Sequence, residues 1–337
     1  MSSFCADVVS TSNMAFTDNP IPFLHERLGE GQKVGLATLV AVDGSSPRPV
    51  GSQIGIADNG NSVGMITGGC AEAALVTQTL HHMEAGSRGL ERYGTGSPYL
   101  DVKLPCGSGL DVHFDGALDP SIIDDLYATR IARRPRSLSL FAEGPSLAHD
   151  PAVVPAGQPL FTQSYTPPFR LLIFGEGAYP LALALFAAPL GYEIAVYSPS
   201  AQTCAIVDKT FCGNERVTAH PITHRDDFTA VAIDQWTGIV TLFHDHDWEV
   251  PILTAALSKP AAYIGALGSR KTHTTRAARL AERGFTREAI STIHGPVGLD
   301  IGASDPNEIA VSILAQIIAN QHRRQENAAG NQTARHG

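Results

Sequence analysis

Two cysteines in the first half of the chain are well placed to do chemistry, because glycine lies beside each of them. Cys70 follows Gly69 at the start of a segment with helical periodicity. We therefore expect its thiol at a helix N-terminus, where the helix dipole stabilises a thiolate and lowers the thiol pKa. Cys106 precedes Gly107 between a predicted strand and a glycine-rich turn. The alternative for both is a packing role, since small buried cysteines are common. The other three are expected to be structural: Cys5, Cys204 and Cys212.

An arginine between two prolines predicts a clamp for an anion. Arg48 lies between Pro47 and Pro49 in the segment GSSPRPVGS, residues 44–52, whose prolines and glycines permit no regular element. The planar guanidinium group of arginine matches the geometry of a carboxylate or a phosphate. Arg48 is therefore a candidate for holding an anionic ligand.

A loop of histidines and aspartates follows a predicted strand in the second half. His244, Asp245 and His246 come directly after the strand predicted over residues 238–243. Ligands of doubly wound folds bind at the carboxyl ends of such strands, so these three residues are candidates for ligand binding. Two histidines two apart can chelate a metal, but the spacing shows no third ligand, and we predict no metal site. The alternative is that Asp247 caps the next helix.

Two further segments follow the same predicted strand ends. In GSRKT, residues 268–272, the amides of a helix start together with Ser269 and Arg270 can hold an anion. The alternative is an ordinary helix start with a solvated cation. The segment HGPVGLDIG, residues 294–302, is too rich in glycine for a regular element. We predict a loop over the strand ends there, with Asp300 as its candidate binding residue.

A glycine turn in the second half partly matches the dinucleotide-binding fingerprint. Gly175 and Gly177 occupy the first two glycine positions, which allow a tight turn and a close approach of the backbone to a pyrophosphate. Pro180 occupies the third position, and Ser198 replaces the acidic residue that would bind a ribose hydroxyl. The turn therefore predicts either a nicotinamide dinucleotide site or a Rossmann-type scaffold that holds another phosphorylated ligand.

The elements around these residues predict an α/β protein with two domains. The first half combines helices and strands, which indicates an α+β domain that carries the cysteines: helices over 21–28 and 71–83, and strands over 34–42, 53–57 and 62–66. The second half alternates strands with helices, which is typical of a Rossmann-like, doubly wound parallel sheet. We place the first domain over residues 1–150, a proline-rich linker over 151–168, the Rossmann-like domain over 169–322 and a disordered tail over 323–337.

Composition limits the classes of function. The chain has 337 residues, of which 43% are hydrophobic and 17% charged, as in a globular protein. Its formal net charge of −9 disfavours nucleic-acid binding. No apolar segment is long enough to cross a bilayer, and the N-terminus lacks the features of a secretory signal, so we expect a cytoplasmic protein without a membrane role. The five cysteines form no C-x-x-C pair and are expected to be reduced.

Taken together, the motifs resemble the XdhC/CoxI family of xanthine dehydrogenase accessory proteins over nearly the whole chain. The resemblance rests on six blocks in the family's order: GSSPRPVGS, TGGCAEAALV, PCGSGLDV, HDHD, IGALGSRKT and HGPVGLDIGASDPNEIAVSILAQI. Two positions depart from the family pattern. The glycine turn contains Glu176 and Pro180, and Ser198-Pro199-Ser200 stands where the family usually has Asp-Pro-Arg.

The resemblance implies a maturation factor, more a cofactor chaperone than a catalyst. Such a protein binds the molybdenum cofactor, a molybdopterin, protects it while it acquires a terminal sulfur, and helps insert it into an apo molybdenum hydroxylase of the xanthine dehydrogenase type. The implied partners are that hydroxylase and a cysteine desulfurase or sulfurtransferase. Cys70 and Cys106 would contact the molybdenum or its sulfur, because a soft thiolate suits that chemistry. Arg48, Ser269 and Arg270 would meet the phosphate or pterin end.

An enzyme is the alternative. The glycine turn and the loop at residues 244–247 also fit an NAD(P)-dependent oxidoreductase that acts on a small molecule bound between the two domains. Binding of NAD or NADP would distinguish this alternative from the chaperone hypothesis. For either function we expect a homodimer.

Overall fold

The computed structural model describes residues 19–97, 107–142, 144–223, 228, 231–243 and 246–333. The chain divides into two compact units, with the boundary between Pro167 and Pro168. No helix among these described residues is both long enough and apolar enough to cross a membrane.

The first unit is a mixed α and β structure, as predicted. Five of its strands form one antiparallel sheet in the order β3-β2-β1-β5-β4, and three more form a small sheet in the order β7-β6-β8. Its described elements are α1 (Ile21–Gly29), β1 (Val34–Asp43), β2 (Gln53–Ala57), β3 (Ser62–Gly64), α2 (Glu72–Ala85), β4 (Arg88–Gly94), β5 (Gly109–Asp115), α3 (Pro120–Ile131), β6 (Arg136–Leu140), β7 (Leu147–His149) and β8 (Phe161–Tyr165).

Helix α2 covers one face of the larger sheet. Leu75 of α2 is fully buried and belongs to the same apolar cluster as Ile54 of β2 and Phe114 of β5. Burial of such a side chain contributes about 1.5–3 kcal/mol to the free energy of folding. The helix ends at Gly86, whose left-handed conformation (φ 58°) terminates it without the strain of a Cβ atom. The packing therefore fixes α2 against this face of the sheet.

Part of the segment that we predicted to be a linker belongs to the first unit. Residues 161–165, within the predicted linker 151–168, form β8 and pair antiparallel with β6, from Leu140 opposite Phe161 to Arg136 opposite Tyr165. Phe161 and Tyr165 also pack against the apolar cluster of this unit. Strand β8 has only five residues and prolines lie on both sides of it, so the composition of the segment indicated a linker.

The second unit is a parallel sheet with the Rossmann strand order, which confirms the predicted fold class. The order is β11-β10-β9-β12-β13-β14, so the direction of chain progression reverses between β9 and β12. Its elements are β9 (Arg170–Gly175), α4 (Ala178–Ala187), a 3-10 turn (Ala188–Leu190), β10 (Glu193–Ser198), α5 (Ala201–Thr210), β11 (Val217–Pro221), β12 (Thr237–Leu242), α6 (His246–Leu257), β13 (Tyr263–Ala266), α7 (Arg270–Ala281), α8 (Arg287–Ile290), β14 (Ile293–His294) and α9 (Pro306–Thr333).

The last helix is longer than the sequence predicted. We expected a disordered tail over residues 323–337, but α9 continues to Thr333. Seven of the eleven residues 323–333 are arginine, glutamine, glutamate or alanine, which have a high intrinsic helix propensity. The polar composition of residues 323–333 is therefore compatible with a helix. Residues 334–337 lie outside the described part of the chain.

Candidate functional site

The loop that carries Cys70 is built around one carboxylate. Glu72, in the first turn of α2, accepts hydrogen bonds from the backbone amides of Ile66 (3.1 Å), Thr67 (2.6 Å) and Gly69 (2.7 Å). The Thr67 hydroxyl donates to Glu72 at 2.5 Å and accepts from the amide of Ala71 at 2.9 Å. Residues 66–72 therefore form a closed hydrogen-bonded turn. Glu72 was not among the predicted site residues, although its place two residues after Cys70 in TGGCAE was a usable signal.

Glu72 is ionised at neutral pH. Partial burial favours the protonated form of its carboxyl group, but hydrogen bonds from Thr67 and Gly69 outweigh that effect and hold the pKa below its usual range. Hydrogen bonds from N–H and O–H donors to an ionised carboxylate are stronger than hydrogen bonds between neutral groups. The turn therefore keeps its geometry at any pH at which the Glu72 carboxyl group is ionised.

The turn presents the Cys70 thiol to solvent. Cys70 is exposed, with a free thiol, and directly precedes Ala71, the N-cap residue of α2. Its neighbours Gly68 and Gly69 have φ values of 78° and 111°, a conformation that favours glycine. Gly68 and Gly69 thus allow the sharp backbone turn that leaves the Cys70 thiol exposed.

Two other segments lie near the same end of the sheet. Asp43, the last residue of β1, pairs with Gly109, the first residue of β5, so the loops that follow Asp43 and precede Gly109 share one edge. A Cβ atom at Gly44 would lie 3.5 Å from the Cα of Ser108. Gly107 has φ +68°, and its carbonyl accepts a hydrogen bond from the Thr95 hydroxyl at 2.9 Å. Cys106 lies outside the described residues.

The predicted anion clamp lies beside the Cys70 loop. A Cβ atom at Gly68 would be 3.7 Å from Pro47, the residue before Arg48. Arg48 is half-buried with its Nε atom buried, and its amide donates to the Ser46 hydroxyl at 3.3 Å. The structure therefore places the Arg48 segment beside the Cys70 turn, with Pro47 near Gly68.

A second residue that the sequence did not reveal fixes this edge of the sheet. Arg92 of β4 forms ion pairs with Asp43 at 3.0 Å and with Asp111 at 3.1 Å, and its Nε donates to the Thr95 carbonyl at 2.9 Å. A Cβ atom at Gly109 would collide with the Arg92 side chain. Arg92 therefore links the ends of β1, β4 and β5 from which the candidate loops emerge.

In the second unit, the glycine turn after β9 is closely packed. A Cβ atom at Gly175 would lie 3.0 Å from Leu242 and 3.0 Å from Pro180. Gly177 is the N-cap residue of α4 with φ 78°, and its amide donates to the Thr203 hydroxyl at 3.0 Å. In a dinucleotide-binding turn the amides at this position face the pyrophosphate. Here the protein itself supplies an acceptor for the Gly177 amide.

The end of β10 is also built for packing. Ser198, which replaces the usual acidic residue, is fully buried, and its hydroxyl accepts a hydrogen bond from the amide of Ser200 at 3.2 Å. Ser200 in turn caps α5 by accepting from the Thr203 amide at 3.2 Å. These hydroxyls therefore stabilise the local turn.

The GSRKT segment starts α7. The Ser269 hydroxyl accepts from the Thr272 amide at 3.2 Å, so it caps the helix as the alternative interpretation proposed. Arg270 is exposed at the first helical position. Arg276 stabilises the turn before α7, because its guanidinium group donates to the Leu267 carbonyl at 2.6 Å.

A buried ion pair supports that turn. Arg276 and Glu249 have side-chain exposures of 2% and 0%, and the guanidinium group reaches both carboxylate oxygens at 2.9 and 3.0 Å. Glu249 lies on α6 and Arg276 on α7, so the pair joins the two helices that follow the candidate ligand loops. The sequence shows both charges but gives no sign that they are buried.

The other predicted residues are only partly described. His244 and Asp245 lie outside the described residues, and His246 begins α6. Asp300 is exposed, on a loop that Gln316 of α9 fixes through hydrogen bonds with the amide and the carbonyl of Gly298 at 3.0 and 3.1 Å. Among the residues that the structure describes, no three His, Cys, Asp or Glu side chains are grouped to hold a metal ion.

Comparisons with known proteins agree with this architecture. A family model of the XdhC Rossmann domain matches residues 171–317, and a model of the XdhC and CoxI family matches residues 28–94. The chain is 31% identical over 311 residues to the molybdenum cofactor insertion chaperone PaoD of Escherichia coli, covering 91% of this chain and 89% of PaoD. It is 27% identical over 336 residues to a probable xanthine dehydrogenase subunit of Bacillus subtilis, covering 88% of this chain and 96% of that protein.

A solved structure shares the fold. The crystal structure of a protein described as a xanthine dehydrogenase from Bacillus halodurans superposes with a TM-score of 0.73 at 24% sequence identity. The match covers 91% of this chain and 96% of that one. Both units therefore occur together in a known structure.

Proposed function

This chain belongs to the XdhC and CoxI family, and from this we propose that it is a maturation factor for molybdenum hydroxylases of the xanthine dehydrogenase type. It binds the molybdenum cofactor, protects the sulfurated form and helps insert it into the apo-enzyme. The observation that carries the proposal is the match to a molybdenum cofactor insertion chaperone over 91% of this chain.

The Cys70 turn supports a direct contact with the cofactor. A soft thiolate is a suitable ligand for molybdenum or its terminal sulfur, and the exposed Cys70 thiol can approach a bulky ligand that a buried cysteine cannot. The Glu72 hydrogen bonds fix the backbone that carries this thiol. Cys106, which directly precedes Gly107 in the sequence, is the second proposed contact. Arg48 supplies a guanidinium group beside the turn for an anionic part of the ligand.

The second unit supplies a second candidate edge. Ser269 and Arg270 at the start of α7, with Asp300 on the neighbouring loop, are the proposed contacts with the phosphate or pterin end. Gly175 ends β9 and Gly177 follows it at the same side of the sheet, and we propose them as further contacts, together with His244, Asp245 and His246, which come after β12 in the sequence. The buried pair of Glu249 and Arg276 keeps the Leu267 carbonyl, and so the turn before α7, in place.

Dinucleotide binding is the second candidate function. The strand order β11-β10-β9-β12-β13-β14 is that of the dinucleotide-binding fold and favours NAD or NADP. The hydrogen bond from the Gly177 amide to Thr203 and the buried Ser198 disfavour it, because both replace contacts that a dinucleotide would make. We therefore rank an NAD(P)-dependent oxidoreductase below the chaperone.

The partners of the proposed chaperone are an apo molybdenum hydroxylase and a sulfurtransferase that supplies the terminal sulfur.

We also propose a homodimer. Neighbouring helices of the second unit expose large apolar side chains, and surfaces of this type mark protein contacts. These are Leu185, Phe186, Leu190 and Ile206, each more than 40% exposed. Light scattering of the wild type and of Phe186→Asp tests the homodimer, with a monomeric wild type as the contradicting result.

Anaerobic titration of the purified protein with the molybdenum cofactor tests the main proposal. We expect binding of about one cofactor per chain, and weaker retention in Cys70→Ala and Cys106→Ala. Cys212→Ala is the matched control, because Cys212 is also exposed but lies on the other unit. Parallel titrations with NADH and NADPH test the alternative. Dinucleotide binding without cofactor binding would replace the chaperone with an oxidoreductase, and unchanged retention in both cysteine variants would remove the site assignment.

A further inference from the structure

Three aromatic rings stack across neighbouring strands of the second unit's sheet. Phe174 of β9, Tyr197 of β10 and His220 of β11 are direct partners in the strand register. The ring centroids of Phe174 and Tyr197 are 4.8 Å apart, with 14° between the planes. Those of Tyr197 and His220 are 4.9 Å apart, with 21° between the planes. Both distances match the spacing of paired strands, about 4.8 Å, so the rings stack in the direction in which the strands pair.

This aromatic stack lies at the edge of the sheet where ligands of the fold bind. Each of the three rings belongs to the last residue but one of its strand. Because the strands are parallel, their carboxyl ends meet at one edge, and doubly wound sheets bind ligands there. Gly175, which begins the candidate glycine turn, directly follows Phe174. The aromatic stack is therefore beside a segment that we already propose as a ligand contact.

The exposure of the rings increases along the stack. Phe174 is 2% exposed and belongs to the apolar core, Tyr197 is half-buried, and His220 is exposed. Among the described residues, β11 is the edge strand of this sheet. No strand of that part of the chain therefore fills the place of a fourth ring, about 4.8 Å beyond His220. A flat ring of a ligand fits there.

The His220 ring is held in one orientation although it is exposed. Tyr197 supports one face of the imidazole, and the Thr218 hydroxyl forms a hydrogen bond with Nε2 at 2.9 Å. Thr218 lies two residues before His220 on β11, and residues two apart in a strand share one face. A ring that is already fixed loses little conformational entropy when a ligand binds to it. His220 is therefore preorganised for stacking.

From this stack we propose that His220 binds a planar fused heteroaromatic ring, which is the pterin of the molybdenum cofactor. The ring of the ligand stacks on the exposed face of the imidazole and continues the series of Phe174, Tyr197 and His220. The choice of a pterin rests on the proposed function, whereas the geometry requires only a flat ring. Stacking on an aromatic side chain discriminates little between heteroaromatic rings, so adenine is the alternative that the experiment must exclude.

Titration of the full chain with neopterin tests the proposal. Neopterin has the pterin ring but neither the molybdenum nor the phosphate of the cofactor, and the anisotropy of its own fluorescence reports binding. We expect saturable binding to the wild type and about tenfold weaker binding to His220→Ala, because stacking on an aromatic side chain contributes on that scale. His220→Phe keeps an aromatic ring and should bind neopterin within about threefold of the wild type. His81→Ala, which changes an exposed histidine of α2 in the first unit, is the matched control and should bind as the wild type does.

The same titrations give the results that would overturn the proposal. Absence of neopterin binding, equal affinity in the wild type and His220→Ala, or equally weak binding in His220→Phe and His220→Ala would overturn the stacking contact. AMP is the probe for adenine. Binding of AMP that depends on His220 and is tighter than that of neopterin would overturn the choice of a pterin.

Titration with the complete molybdenum cofactor separates this inference from the proposed function. If the wild type and His220→Ala bind the cofactor equally, the contact at His220 is wrong and the chaperone proposal stands. If the wild type binds neopterin through His220 but does not bind the cofactor, the chaperone proposal fails and the ring site stands.

Discussion

Replacing Glu72 by glutamine should loosen the turn that carries Cys70. The carboxylate accepts four hydrogen bonds, from three backbone amides and one hydroxyl, at 2.5 to 3.1 Å. The amide group of glutamine keeps one acceptor oxygen and turns the other position into a donor. On the side of the Thr67 hydroxyl and the Gly69 amide, two donors would then face a third donor.

The expected loss in the free energy of unfolding is about 2–4 kcal/mol. A hydrogen bond to a charged group contributes about 1.5–3 kcal/mol net, and the substitution removes two of them outright. The turn is partly exposed, because Gly68, Gly69 and Cys70 all face solvent. Water therefore replaces part of the lost hydrogen bonding, and the expected loss in the free energy of unfolding is smaller than the sum for the two hydrogen bonds.

Amide hydrogen exchange measures the effect where it arises. In Glu72→Gln, exchange at Thr67 and Gly69 should accelerate more than exchange at Leu75, whose amide bonds to the Ala71 carbonyl. Glu84→Gln is the matched control, an exposed glutamate near the end of the same helix. Retention of the molybdenum cofactor should fall in Glu72→Gln and not in Glu84→Gln. Unchanged exchange at Thr67 and Gly69 would refute the role assigned to the carboxylate.

Three further predictions concern stability. Arg276→Met removes the guanidinium group that neutralises the buried Glu249 carboxylate and should cost about 3–5 kcal/mol by chemical denaturation, whereas an effect below about 1 kcal/mol would show that water reaches the carboxylate. Gly175→Ala places a Cβ atom 3.0 Å from Leu242 and from Pro180 and should cost about 1–3 kcal/mol, measured in the same way; a neutral result would show that these neighbours can shift. Burial, which outweighs the opposing effect of Asp115, lowers the pKa of His113 from 6.5, so the unfolded state takes up a proton first and stability should fall as the pH drops from about 7 to 5. His113→Gln should flatten that pH dependence in denaturation curves, and an unchanged slope would assign it to other groups.

The sequence predicted the fold class well because its signals were local. Alternating strands and helices with a glycine turn after β9 indicated the parallel sheet, and the pattern of residues 34–42 indicated the strand β1. The error at β8 has the opposite origin. Its five residues acquire their strand conformation from pairing with β6, a contact between distant parts of the chain that composition does not report.

The candidate site was predicted less completely, and the reason is that charge alone does not reveal its environment. Cys70 and Arg48 attracted attention because their neighbours are glycine and proline. Glu72, Arg92 and the pair of Glu249 and Arg276 look in sequence like ordinary charged residues of helices and strands. Only the folded chain shows that Glu249 and Arg276 are fully buried and that the Glu72 carboxylate collects backbone amides.

The two units hold their candidate loops by the same physical means. In the first unit the Glu72 carboxylate accepts hydrogen bonds from the amides of Ile66, Thr67 and Gly69. In the second, Arg276 binds the Leu267 carbonyl before α7, and Glu249 balances its charge. Each loop is thus fixed by a charged group of the helix that follows it. Cys70 and Arg270, which follow these hydrogen-bonded backbone groups, are both exposed. A loop that is fixed in this way loses little conformational entropy when it binds a ligand, and this favours the proposed binding of the molybdenum cofactor.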